Sequence, residues 1–208
     1  MREDDYAGVA GIYDPLLNPF LNSTRRLVRR ALKDHYGNPV LDMGCGTGRQ
    51  ALYLSKAGIR VVGVDRSPAM LAQARKKTPD SVGLVQGDLR ELGFKDDAFD
   101  AVLFSFVLHE MPVEVREAAL REAMRVSKRM VFIVDYRLPS TFLGRVFSSF
   151  AHIPERLAGP EHYRQFRDFM RRGALPGLTH NKGLGFVETR PALLGAAELA
   201  VFWVMERK

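Results

Sequence analysis

Three alternating glycines follow an acidic residue at the end of an apolar run, Val40-Leu41-Asp42-Met43-Gly44-Cys45-Gly46-Thr47-Gly48. Glycines at that spacing let the backbone turn sharply and touch a ligand that any Cβ would hold away, so the stretch reads as a cofactor loop. It departs from the dinucleotide fingerprint G-x-G-x-x-G, whose third glycine serves close helix packing, because Arg49 stands at that place. On its own the loop is also compatible with a plain turn or another nucleotide site, and the neighbouring residues decide. Asp65 closes a second apolar run, Arg60 to Val64, about 20 residues beyond the glycines, where a carboxylate can accept both hydroxyls of a ribose. It is not needed as a helix cap, since Ser67 and Pro68 supply a cap and a first helical residue. A third run, Val82 to Gln86, leads into Gly87-Asp88-Leu89, and a fourth, Ala101 to Val107, leads into Leu108-His109-Glu110. Polar or acidic groups thus follow four successive runs, at the carboxyl ends where open parallel sheets bind ligands.

His109 is the candidate catalytic base, because imidazole exchanges protons near neutral pH; its alternative is a histidine that supports the next helix or meets solvent. Tyr6 and Tyr13 suit a lid, and His152 and His162 a later insert, but each reads as readily as a packing or surface residue. Neither Gly-x-Ser-x-Gly nor His-Glu-x-x-His occurs, so neither a hydrolase elbow nor that metal motif is expected. The single cysteine, Cys45, excludes an internal disulfide and a Cys-rich zinc site. It reads as a small residue beside the cofactor and not as a nucleophile.

The elements that must position these residues alternate. Apolar and amphipathic periodicity predicts helix 19–34, strand 39–43, helix 48–57, strand 60–64, helix 68–77, strand 82–86, strand 101–107, helix 113–127 and strand 130–135. Such alternation argues for a parallel sheet covered on both faces. After Tyr136 the rhythm breaks into helical stretches near 142–150 and over 161–172. Strands at 186–190 and 198–205, joined by a short connection through Pro191 and Gly195, then pair antiparallel.

Together, Asp42-x-Gly44-x-Gly46-x-Gly48, Asp65, Gly87-Asp88-Leu89 and Phe99-Asp100-Ala101-Val102 resemble the class I S-adenosylmethionine-dependent methyltransferases. The resemblance covers residues 40 to about 135, while the Tyr13-Asp14-Pro15-Leu16-Leu17-Asn18-Pro19-Phe20 opening, the Val107-Leu108-His109 turn and the compact C-terminal hairpin resemble the ubiquinone/menaquinone-biosynthesis and phospholipid methyltransferase branch. It implies a doubly wound, seven-stranded Rossmann-like α/β sheet of order 3-2-1-4-5-7-6, a C-terminal hairpin, and a helical insert between strands 5 and 6 that shapes the acceptor pocket. By that resemblance Gly44, Cys45, Gly46 and Gly48 meet the methionine part and Asp42 joins the loop's hydrogen bonding to the amino group. Asp65 takes the ribose hydroxyls, Arg66 beside it also meets the cofactor, Asp88 with Leu89 fixes the adenine, and Phe104-Ser105-Phe106 lies beneath the methyl donor. No metal is implied. Quinone methyltransferases often carry Arg-Asn after the fourth strand where this chain has His109-Glu110, so the acceptor stays broader, small-molecule or lipidic.

A chain of 208 residues, 46% hydrophobic, is long enough for one domain with a sizeable core. The expected layout is a lid and helix over 1–38, a cofactor core over 39–136, an acceptor-side insert over 137–182 and a hairpin over 183–208. The acidic start and the lack of a long apolar run predict a cytoplasmic protein, with peripheral membrane contact open. Lysine and arginine exceed acids by 31 to 24, yet without the basic, aromatic-interleaved run that favours single-stranded nucleic acid. Instead, Arg25, Arg26, Arg29, Arg30 and Lys33 fall on one side of the first helix, and Arg164, Arg167 and Arg171 oppose Tyr163, Phe166, Phe169 and Met170 later. Such faces are solvated, or meet an anionic lipid or a phosphorylated substrate. The function expected is methyl transfer; a non-catalytic cofactor-binding scaffold and a nicotinamide oxidoreductase are the alternatives, the latter disfavoured by Arg49.

Overall fold

The apolar run before the glycines forms β1 (Val40–Met43), buried along its whole length. It lies between two parallel neighbours, β2 (Val61–Asp65) and β4 (Phe99–Ser105). β3 (Gly83–Gln86) flanks β2, and β5 (Ser127–Tyr136) pairs parallel with β4. The last two strands, β6 (Leu184–Ala192) and β7 (Ala197–Val204), form an antiparallel hairpin, with β7 inserted between β5 and β6. The sheet order is therefore β3-β2-β1-β4-β5-β7-β6, as the family resemblance implied. The computed structural model describes residues 13–35, 37–157, 159–178 and 183–205. Tyr6 and the rest of the expected lid up to Ile12 lie outside them.

Helices cover both faces because each carries an apolar stripe at helical spacing. α1 (Tyr13–Asp34) and α2 (Arg49–Ser55) pack Val28, Ala31, Leu32, Ala51 and Leu54 against Val40, Leu103, Phe132 and Val201. On the other face, α4 (Val113–Val126) brings Ala119, Leu120 and Ala123 to Leu41, Val102 and Ile133. α3 (Pro68–Arg75) opens as its sequence predicted, with Ser67 as cap accepting from the Met70 amide at 3.1 Å and Pro68 in the first turn. Each fully buried Phe or Leu in this core contributes roughly 1.5–3 kcal/mol, offset by the entropy of ordering it.

α1 starts earlier than the expected helix at 19. Asn18 and Pro19 read from the sequence as a cap and a first helical residue, but the helix runs through them from Tyr13, with Pro15 in its first turn, where a missing N–H would have no intrahelical partner anyway. The insert consists of α5 (Phe142–Leu157) and α6 (Pro160–Arg171), followed by a 3-10 turn at Leu175–Leu178. α6 seats Phe166 and Phe169 in the same core as α4. This seating brings the insert over the carboxyl end of β4.

Candidate functional site

A cavity of about 540 Å³ opens at the carboxyl ends of β1, β2 and β4, within the usual range for small-ligand sites. Asp65, ending β2, lines it and pins the glycine loop: one carboxylate oxygen accepts the Gly46 amide at 2.8 Å and the other the Ser67 amide at 2.9 Å. Asp42, next to last in β1, is 1% exposed, and neither of its oxygens has a hydrogen-bond partner. Burial, reinforced by the nearby charge of Asp65 and opposed by Arg25, pushes its carboxyl up to about 7. Thr24 of α1 and Gln50 of α2 are also buried, line the same cavity and present unpartnered polar atoms. Each such group costs about 1–3 kcal/mol when left bare, and three around one cavity suit a ligand with several hydrogen-bonding groups.

The three glycines do different things. Gly44 has φ +77°, and a Cβ there would lie 2.5 Å from Val107 Cγ2, so it lets the loop pass the turn after β4. Gly46 has φ +52°, and nothing stands within 4 Å of where its Cβ would be; it lines the cavity. Gly48 was expected beside the ligand but does not line the cavity; it caps α2 in the left-handed region, and its Cβ would meet Ala74 Cβ at 2.8 Å. Gly48 therefore serves helix packing, the role that the dinucleotide fingerprint gives to its third glycine. Gly48→Ala should lower stability by about 1–3 kcal/mol, measured by urea denaturation; a midpoint shift worth under 0.5 kcal/mol would refute the packing role.

Cys45, Arg66, Asp88, Leu89 and Ser105 all line the cavity. Burial pushes the Cys45 thiol well up, and its sulfur packs against Gly63, so it is held neutral. Asp88 forms a bidentate pair with Arg90, at 2.6 Å for the shortest contact, which holds its carboxyl below the usual range. Phe104 is a correction: it is fully buried in the core and does not reach the cavity, whose wall at this strand begins with Ser105, Phe106 and Val107. Phe106 takes φ +53°, unusual for a bulky residue, and this turns the chain across the cavity mouth. Arg25 is a second correction: expected on the solvated side of α1, it is 7% exposed and lines the cavity near Asp42.

His109 lies beside the cavity and does not line it. It is 3% exposed, with Nδ1 2.7 Å from Asp135 Oδ1 and Nε2 3.4 Å from Glu155 Oε2. Burial alone would push its pKa down, but the two carboxylates overrule burial and hold it well above the usual histidine value. Asp135, at the end of β5, also accepts the amides of Leu108 and His109, while Arg116 of α4 donates to the carbonyls of Leu108 and Met111. The 3-10 turn at Leu108–Glu110 is thus clamped through both its amides and its carbonyls. On the far side, Glu155 of α5 also accepts Tyr136 Oη at 2.9 Å and His162 Nε2 at 2.5 Å. Donor atoms of His109, Glu110 and His162 fall within 4.8 Å of one another. That grouping was not foreseen, and three of its four ring nitrogens are already engaged by Asp135 and Glu155.

The basic face of α6 is exposed as expected, and part of the charge there is answered locally, Arg164 by Glu161 within the helix and Arg172, its C-cap, by Asp168. Among the described residues, no helix is long and apolar enough to cross a membrane.

Residues 40–130 match the family model described as a methyltransferase domain. A demethylmenaquinone methyltransferase of Mycobacterium tuberculosis is 41% identical over 146 residues, covering 66% of this chain and 59% of the relative. An uncharacterized methyltransferase of Synechocystis is 37% identical over 109 residues, covering 51% of each. The chain spans about half to three fifths of the length of these curated relatives. Among solved structures, a putative methyltransferase of Haloferax volcanii, seen in complex with the Trm112 activator, superimposes with a TM-score of 0.67 at 18% identity, covering 99% of this chain and 100% of that one. Magnesium protoporphyrin IX methyltransferase of Synechocystis, solved with bound SAH, gives 0.61 at 20% identity, covering 88% and 83%. The strand order, the loop at the end of β1 and the match over residues 40–130 agree: this part of the chain is similar to the class I S-adenosylmethionine-dependent methyltransferases, and its fold is theirs.

Proposed function

We propose that this protein transfers a methyl group from S-adenosylmethionine to a small-molecule or lipidic acceptor. The observation that carries the reading is the set of unpartnered buried side chains, Thr24, Asp42 and Gln50, gathered around one cavity with Asp65 at its edge. These residues fit the cofactor. Asp42 would face its ammonium group, Thr24 and Gln50 would bond the rest of the methionine end, and Asp65 would accept the ribose hydroxyls. Leu89 and the Asp88–Arg90 pair would border the adenine. When bound, S-adenosylmethionine supplies a methyl group already activated on a sulfonium sulfur. The chain's own part is to orient and to keep the site dry: Phe106, Val107 and Met111 wall one side, and the start of α6 closes another. The names of the curated relatives favour an acceptor of quinol type, while His109-Glu110 in place of Arg-Asn keeps other amphiphilic acceptors in view.

Calorimetry with S-adenosylhomocysteine and with NAD tests the cofactor half of this reading. Preferential binding of NAD would overturn it. Release of S-adenosylhomocysteine across a panel of quinols, lipids, amines and RNA tests the transfer half; binding without any turnover would leave a scaffold.

Asp42 adds a pH signature. Its carboxyl is raised in the ligand-free protein, so below about pH 7 it is neutral and must lose a proton before it can pair with a cation. S-adenosylhomocysteine affinity should therefore rise by roughly an order of magnitude from pH 6 to pH 7.5. Asp42→Asn should flatten that rise; an equal pH dependence in wild type and mutant would show that another group is responsible.

A further inference from the structure

His162 is the histidine of this network that reaches the cavity. It sits in the first turn of α6 and lines the cavity together with Glu110, Ser105 and Phe106. Its Nε2 is 2.5 Å from Glu155 Oε2, and its Nδ1 lies toward Glu110, 4.0 Å from Oε2. An ionised carboxylate can only accept, so in the neutral ring the proton belongs on Nε2 and the lone pair on Nδ1. Glu155 is itself held in place by Tyr136 Oη and by His109 Nε2, and His109 by Asp135. The arrangement is that of a base whose ring is oriented by a carboxylate behind it. His109, with both nitrogens taken, has no lone pair to offer an acceptor.

Resting on the methyl-transfer reading, we propose that His162 is the catalytic base that takes a proton from an acceptor hydroxyl, with Glu155 as its positioning residue. The acceptor's O–H bond breaks, its proton goes to Nδ1 and its electron pair stays on the acceptor. As the activated acceptor bonds the methyl carbon, the S–C bond breaks with its pair remaining on sulfur, and the proton leaves His162 for solvent through the cavity mouth. Glu110 faces the imidazolium so formed. Among the described residues, the charged and titratable groups facing His162 are Glu155 from α5, with Tyr136 of β5 behind it, and Glu110 and His109 from the turn after β4. Burial would lower the His162 pKa, but Glu155 and Glu110 outweigh burial and raise it above the usual value. The base form therefore gains as pH rises through a midpoint above 6.5, and turnover should follow.

The test combines turnover with a readout that needs none. In the ligand-free protein, NMR titration of the His162 ring should show the Nε2–H tautomer and a midpoint above 6.5. Glu155→Gln, which keeps an acceptor oxygen but removes the charge, should lower that midpoint. With 1,4-dihydroxynaphthalene as the acceptor probe, His162→Gln should lower kcat by about 10²–10⁴-fold. S-adenosylhomocysteine affinity should stay within twofold and the melting temperature within a few degrees. Glu155→Gln should move the acid limb of the kcat–pH profile down by the same interval as the NMR midpoint. An Nδ1–H tautomer, or a midpoint unmoved in Glu155→Gln, overturns the proposal even without turnover. Unchanged kcat in His162→Gln overturns it while leaving methyl transfer standing, whereas a wild type that binds no S-adenosylhomocysteine overturns the underlying reading instead.

Discussion

Asp135→Ala should destabilise the protein by about 3–5 kcal/mol, the scale seen when one member of a buried charged pair is removed. Asp135 is fully buried, and its two oxygens accept four hydrogen bonds, from His109 Nδ1 and from the backbone amides of Leu108, His109 and Tyr136. Alanine strands all four donors at once and removes the carboxylate nearest His109. For a chain of this size the loss corresponds to a fall of roughly 6–20 °C in melting temperature. The sign with pH follows from His109, whose folded-state pKa lies above its unfolded value. Its stabilising contribution is fully present below about pH 6.5 and fades as pH rises through the folded value. The gap between wild type and mutant should therefore be widest near pH 6 and narrow in alkali. Urea denaturation across that range measures it; a cost under 1 kcal/mol, or a gap that widens with pH, would show that the clamp on the Leu108–Glu110 turn does not depend on Asp135.

The contrast between this network and the glycine loop explains what could be read from the sequence. Asp42, Gly44, Gly46 and Asp65 belong to consecutive strand ends of one βαβ unit, and because parallel strands return to the same edge, their sequence spacing encodes their convergence. The strand order came from the family resemblance, whereas the capping of α3 and the antiparallel closing hairpin were legible in local residues, Ser67-Pro68 and the short connection through Pro191 and Gly195. Phe104 was misplaced because the resemblance puts the whole stretch Phe104-Ser105-Phe106 beneath the methyl donor, whereas β4 is covered on both faces and only from its last residue, Ser105, does the chain reach the cavity. Arg25 was misplaced because it stands at the border of the two faces: it neighbours Arg29 at i+4 on one side, and the fully buried Val28 at i+3 and Leu32 at i+7 on the other. The partnership of His109, Asp135, Glu155 and His162 had no local signature at all. Its members come from two strand ends and two insert helices, joined by the seating of Phe166 and Phe169. Asp135, a lone acidic residue closing the apolar run Val131 to Val134, was the one available clue.

Asp65→Asn should weaken S-adenosylhomocysteine binding by roughly 5- to 150-fold at pH 8, equivalent to about 1–3 kcal/mol. The asparagine side chain keeps one acceptor oxygen where the carboxylate uses two, one for the Gly46 amide and one for Ser67. Either the loop or the start of α3 then loses its anchor, and a donor amide turns toward a place that needs an acceptor for ribose hydroxyls. At lower pH a second effect runs the other way. The charge of Asp65 helps to raise the Asp42 carboxyl, so removing it lets Asp42 ionise at lower pH and recover its pairing with a bound cation. The loss should therefore be smaller at pH 6 than at pH 8, and the rise of affinity with pH should be shallower than in wild type. Calorimetry at the two pH values separates the contributions. An affinity within twofold of wild type at pH 8 would remove Asp65 from the ribose site, whereas an equal loss at both pH values would keep it there and show that the two carboxylates act independently.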